Sequence, residues 1–184
     1  SFDVYFNTKT DTEVLYQCLN FYGVPETLQM INGQFAFAYY DQKTNDLFIC
    51  RDNLGVKPIY YFFNKDSFGF SSEVKTFFNL EICKPQINKA FIGEYLANGW
   101  VYEPDTLFEN IYKLKSANYL KYNLVTKKLE ENEYWTINDD DNEQKPKMSD
   151  IIQNQLVSDV KLGVYFSGGY DSTLITSHLL DKNL

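Results

Sequence analysis

The chain has 184 residues, a mass of 21.6 kDa, 17 basic and 25 acidic side chains and a formal net charge of −8. That length suits one domain of ordinary size, or one domain plus part of another, and it needs no disulfide staples. The acidic balance argues against a nucleic-acid surface, and the longest apolar stretches, FAFAYY from Phe35 and IYYFF from Ile59, are far too short to span a bilayer. No secretory leader is read at the start, where Ser1 is followed closely by Asp3. Three scattered cysteines (Cys18, Cys50, Cys83) form no CxxC, which fits a reducing, cytoplasmic setting, and the single histidine, His178, leaves structural zinc unsupported.

The first element in chain order is TDTEVLYQCLNFYG. Thr10 and Glu13 have capping-box spacing, Val14, Leu15, Cys18, Leu19 and Tyr22 fall on one helical face, and Gly23 is placed to stop the helix. Cys18 therefore reads as a small core residue. From Gln34 the period changes to two: Phe35, Phe37 and Tyr39 face one way, the two alanines and Tyr40 the other. Gln42 to Asp46 reads as a hairpin turn and LFICR as the returning strand. Two further strands are expected at Pro58 to Phe63 and Phe68 to Ser71, then a short helix at SSEVKTFF. NKAFIGEYLANG predicts another helix, capped by Asn88, with Phe91, Ile92, Tyr95 and Leu96 as a buried stripe. ANYLKYNL and LEENEYWTI are two late strands around the turn VTKK.

Composition then shifts. NDDDNEQKPKMSD, from Asn138 to Asp150, has almost no apolar residue and reads as a solvated linker, after which Ile151 to Gln155 barely makes a helical turn. LGVYF is a continuous apolar run suited to a buried parallel strand. It feeds SGGYDS and then a helical pattern at Leu174, Ile175, His178 and Leu179.

Strand–SGGYDS–helix is the sharpest chemical signal. Two glycines permit a tight turn with uncovered amides, and the helix beyond them points its free N–H groups at the same spot, which makes an anion site suited to phosphate. No lysine follows, so it is not a Walker A loop. A carboxylate beside a phosphate cradle repels the ligand unless a cation stands between them, so Asp171 reads as a Mg²⁺ ligand; the plainer alternative is a helix cap.

SGGYDS after LVSDVKLGVYF resembles the PP-loop of the ATP pyrophosphatase fold as found in glutamine-dependent asparagine synthetases. TDTEV, INGQFAFAYYD, RDNLGVKPIYY, FSSEVK, EPDTLFENIYKL and the closing YW resemble, in order and spacing, the latter part of that family's class II glutaminase domain. The resemblance covers nearly the whole chain. It implies an α+β fold: a layered α/β/β/α N-terminal-nucleophile-type glutaminase domain over 1–138, a linker over 139–150, and the start of an α/β parallel-sheet PP-loop domain over 151–184.

It also implies an enzyme that hydrolyses glutamine with an N-terminal cysteine and passes ammonia to an aspartate adenylylated by ATP and Mg²⁺. By the S-D-x-E-type motif, Asp11 is expected to hold the glutamine α-ammonium; by itself it reads equally as a dipole-compensating acid at a helix start. Ser167, Gly168, Gly169 and Ser172 are expected to cradle the ATP phosphates, with Asp171 on Mg²⁺. RDNLGVKP (Arg51 to Pro58) is family-like, and a structural role is favoured, with Arg51 and Asp52 as an ion pair. Partners are small molecules (glutamine, ATP, aspartate or another carboxylate acceptor) rather than nucleic acid or membrane, with a homodimer left open.

The nucleophilic cysteine is absent from this chain, residue 1 being serine. The expectation is a fragment across the domain junction, inactive alone. Two rivals stand beside it: the same architecture with another acceptor, such as a sugar acid or cyclising carboxylate, and a non-catalytic homologue.

Overall fold

The structure is a computed structural model that describes residues 6–64, 67–137, 147–158 and 160–180. The chain divides into two compact units, Ser1–Ile137 and Asn138–Leu184.

The first unit opens with α1 (Asp11–Tyr22) and α2 (Val24–Met30). Gly23 makes the corner between them at φ 82°, a conformation glycine adopts without a Cβ penalty. Its N–H donates to the Leu19 carbonyl at 3.1 Å, closing α1, while its carbonyl accepts the Thr27 amide (3.2 Å) and hydroxyl (2.6 Å), opening α2. Reading Gly23 only as a stop overlooks α2, whose signal is Pro25 in its first turn. The expected capping box is also redrawn: Thr10 makes no side-chain cap bond, and Glu13 reaches back past it to Asn7 and Thr8.

Two antiparallel sheets follow. One has the order β1 (Ala36–Asp41), β2 (Asp46–Arg51), β6 (Asn118–Asn123), β7 (Leu129–Glu133); the other has β4 (Phe68–Ser71), β3 (Tyr60–Phe63), β5 (Ile111–Lys113). Residue alternation builds the layers. On β2, Phe48 and Cys50 face α1 and α2 while Ile49 faces the second sheet; on β6, Tyr119 and Leu120 divide the same way. On β3, Tyr61 and Phe63 join Ile49 and Leu120 between the sheets, while Tyr60 and Phe62 turn outward to Phe77, which lies in the short 3-10 segment Val74–Asn79. Helices, sheet, sheet and a short helical cover thus form four layers of α+β type. The alternation expected of Phe35, Phe37 and Tyr39 is present, since all three pack under α1 and α2 while Ala36 lies between the sheets.

Asn88 caps its helical segment as expected, accepting from the Ala90 amide at 3.1 Å. The helix α3 (Ile92–Asn98) differs from expectation in its surroundings. No residue of it is buried, and Leu96 is 77% exposed, so the predicted stripe is not a core face. Its seven residues give only two turns and follow directly on the 3-10 turn Lys89–Phe91.

In the second unit, α4 spans Met148–Asn154 and α5 spans Tyr170–Leu180. Helix α4 makes about two turns where barely one was expected, and it takes in the last residues of the predicted linker, whose 139–146 lie outside the described residues. LGVYF forms no strand: among the described residues it has no partner to pair with, and Tyr165 is fully exposed.

Candidate functional site

Asp11 is the first residue of α1, where the helix dipole favours a carboxylate. Its side chain is exposed, and its one polar contact among the described residues is a long one, 3.4 Å from the Thr12 hydroxyl. The carboxylate therefore remains free to take an ammonium from a ligand. The backbone leading to it is held by Glu13, whose carboxylate accepts the Asn7 amide (2.8 Å), the Thr8 amide (2.6 Å) and the Thr8 hydroxyl (2.5 Å). The Thr8 hydroxyl and Asn7 amide hold the Glu13 carboxyl below its ordinary range, burial opposing them only weakly. Sequence reasoning recognises Glu13 as a capping residue and misses this use; the S-D-x-E spacing was the available signal.

RDNLGVKP forms a buried polar frame. Arg51 and Asp52 are each 2% exposed, but they do not pair. Consecutive residues at a strand end point opposite ways, so each finds other partners. The Arg51 guanidinium donates to Glu103, to the Leu114 carbonyl, and to the carbonyls of Lys57 (3.0 Å) and Gly55 (2.6 Å). Asp52 accepts the amides of Val56 (2.8 Å) and Lys57 (2.9 Å), tying the turn from inside. Tyr134 closes the frame, its hydroxyl lying 2.8 Å from both the Arg51 carbonyl and Asn53 Oδ1. The favoured structural role of this motif matches that geometry, with Glu103 in place of Asp52 as the ion-pair partner.

The glycine loop lies in the second unit. Gly168 turns at φ +77°, and a Cβ there would meet open space. Across the turn the hydroxyls of Ser167 and Ser172 stand 3.0 Å apart, and Ser172 donates to the Gly169 carbonyl at 3.1 Å. Ser167, Gly168, Gly169 and Ser172 are thus gathered at the start of α5. Asp171 sits in its first turn rather than at the cap, and its carboxylate makes no hydrogen bond or ion pair among the described residues. Two hydroxyls and one carboxylate suit a hard cation that is held jointly with phosphate oxygens. No cluster of three or more metal-ligating side chains occurs among the described residues.

Other candidates fall away. Cys50 is fully buried and burial pushes its thiol well above its ordinary range, so it offers no nucleophile. A cleft of about 400 Å³ beside the Gly23 corner is lined by Tyr39, Asp46, Phe48, Tyr119 and Lys121, and by none of the predicted site residues.

The glutamine amidotransferase domain family matches residues 2–135, and the asparagine synthase family matches residues 143–182. A protein of Methanocaldococcus jannaschii provisionally named glutamine-hydrolysing asparagine synthetase 2 is 33% identical over 185 residues, covering 95% of this chain and 36% of that protein. Asparagine synthetase B of Escherichia coli is 29% identical over 173 residues, covering 94% of this chain and 27% of its own length. Amidase chry2 of Gibberella zeae is 25% identical over 195 residues, covering 96% of this chain and 28% of its own length. The chain thus spans about a third of the length of these relatives or less. With most of its length matched, the chain belongs to the glutamine amidotransferase domain family, in the arrangement where that domain runs on into an asparagine synthase segment.

Proposed function

We propose that the complete protein is an ATP-dependent ligase that hydrolyses glutamine and passes the ammonia to adenylylated aspartate, forming asparagine. The observation that carries this reading is the run of a glutamine amidotransferase match directly into an asparagine synthase match within one chain. In this reading residues 1–138 are the glutaminase domain, 139–150 the linker and 151–184 the start of the synthetase domain. Asp11 binds the α-ammonium of glutamine through a charge-assisted hydrogen bond. Ser167, Gly168, Gly169 and Ser172 cradle the ATP phosphates with hydroxyls, amides and the positive end of α5. Asp171 holds Mg²⁺, which when bound neutralises the phosphate charge that develops as pyrophosphate leaves. The setting is the cytoplasm; among the described residues no helix is long and apolar enough to cross a membrane.

A second reading is the same architecture acting on another carboxylate, since a relative covered to a similar extent is named as an amidase and not as an asparagine synthetase. One assay tests both. The complete protein, given glutamine, ATP, Mg²⁺ and aspartate, is expected to yield asparagine, glutamate, AMP and pyrophosphate in equal amounts. Amidation of a different carboxylate in place of aspartate selects the second reading. Absence of any glutamine hydrolysis overturns both.

A further inference from the structure

Among the described residues the Asp11 carboxylate has no strong side-chain partner, so its position follows the backbone that delivers it to α1. Glu13 makes most of the side-chain bonds that fasten that backbone among the described residues. Glu13 takes two main-chain amides and one hydroxyl, all from Asn7 and Thr8. Thr8 passes the hold onward. Its one hydroxyl proton goes to Glu13, so in the 2.9 Å contact between the Thr8 and Thr10 hydroxyls the donor is Thr10. The Thr10 amide also lies 3.4 Å from the Thr8 oxygen. A chain of hydrogen bonds therefore runs from Glu13 through Thr8 to Thr10, the residue before Asp11.

We propose that Glu13 is a positioning residue for the glutamine α-ammonium, fixing the Asn7–Thr10 approach and through it the place of Asp11. The inference rests on the reading of Asp11 given above. Only a carboxylate can hold all three donors, because it is acceptor-only, whereas a glutamine in the same rotamer turns an NH₂ toward one of the Thr8 or Asn7 donors. The lowered titration range of Glu13 agrees with a charged acceptor among these donors.

The test is steady-state glutaminase kinetics of the complete protein carrying Glu13→Gln, with Thr8→Val as a second variant that deletes one link. Misplacement of a binding group by about 1 Å costs up to about a hundredfold, so a loosened rather than lost Asp11 is expected to raise KM for glutamine about tenfold, with kcat within about twofold. Thr8→Val shifts KM the same way by less. Faster exchange of the Asn7 and Thr8 amides, with an unchanged melting temperature, accompanies both. A fall in melting temperature and kcat with KM unmoved is the signature of a merely structural glutamate and overturns the proposal. Asp11→Asn separates the two levels. If it raises KM and Glu13→Gln does not, this inference alone fails; if neither raises KM, the reading of the glutamine site fails with it.

Discussion

Arg51 Nη1 lies 2.7 Å from Glu103 Oε2, and the other oxygen of Glu103 accepts the amide (2.9 Å) and hydroxyl (2.8 Å) of Ser116. Three separate stretches of the first unit therefore meet on one carboxylate. Burial pushes the Glu103 carboxyl up, but the Ser116 amide, the Arg51 guanidinium and the Ser116 hydroxyl outweigh it and hold it at about 2. Arg51, at 2% exposure, depends on this charge.

Glu103→Gln is accordingly expected to destabilise the first unit by about 2–3 kcal/mol at neutral pH, below the full cost of orphaning a buried charge because Glu103 is partly exposed. The pH dependence has a definite sign. The folded-state value is depressed, so the stabilisation is complete above the ordinary 4.5 and fades as pH falls toward 2. Denaturant midpoints measured across that window should drop for the wild type and drop less for Glu103→Gln. Parallel curves would show that the pair carries none of the acid sensitivity.

Gly69 faces Phe62 across the β3–β4 ladder, and a Cβ at Gly69 would stand 2.4 Å from the Phe62 ring. That ring is buried against Phe77 and Ile111, so it has nowhere to retreat. Gly69→Ala should therefore cost about 1–3 kcal/mol as overpacking, read from chemical denaturation. Stability equal to wild type would show that the strand can shift at no cost.

The layered sheet was legible because its cause is local. Phe35, Phe37 and Tyr39 alternate with small residues, and period two survives any tertiary context. The short α3 was not legible in its burial, since Ile92, Tyr95 and Leu96 show a helical stripe whether or not anything covers it. Arg51 illustrates a third case: its motif was visible, but its partner Glu103 lies on a distant segment, and spacing says nothing about such a meeting. The glycine loop was readable as a unit because Ser167, Gly168, Gly169 and Ser172 lie within one turn. LGVYF carried the composition of a strand, but pairing needs a neighbour that composition cannot supply.

Asp11→Asn in the complete protein should raise KM for glutamine on the order of a hundredfold, because the shape is kept and the charge opposite the ammonium is lost. Synthesis from added ammonia bypasses this step and should continue. An unaltered glutamine KM would leave Asp11 as an acid that merely complements the helix dipole.

Asp171→Asn separates metal binding from helix architecture. Among the described residues Asp171 makes no cap bond, so the melting temperature should move little, by the few tenths of a kcal/mol that a first-turn charge contributes. Pyrophosphate release, measured with ammonia supplied and Mg²⁺ titrated, should be lost with either nitrogen source. Wild-type rate and Mg²⁺ dependence would assign the phosphate site to the loop alone.

Tyr134 directly follows β7, and it is held at two points, by its amide to the Ala117 carbonyl (2.9 Å) and by its hydroxyl to the Arg51 carbonyl (2.8 Å). Trp135, the next residue, packs against the core under α1 and α2, so the end of the first unit is fastened rather than fraying. The Tyr134–Ala117 bond prolongs the β6–β7 ladder by one rung, while the Tyr134 hydroxyl ties the same residue to the Arg51 carbonyl at the end of β2, so tension arriving from the C-terminal side would be shared between the sheet edge and the buried frame. The buried frame thus gives the unit's C-terminal end a second hold, independent of its edge strand.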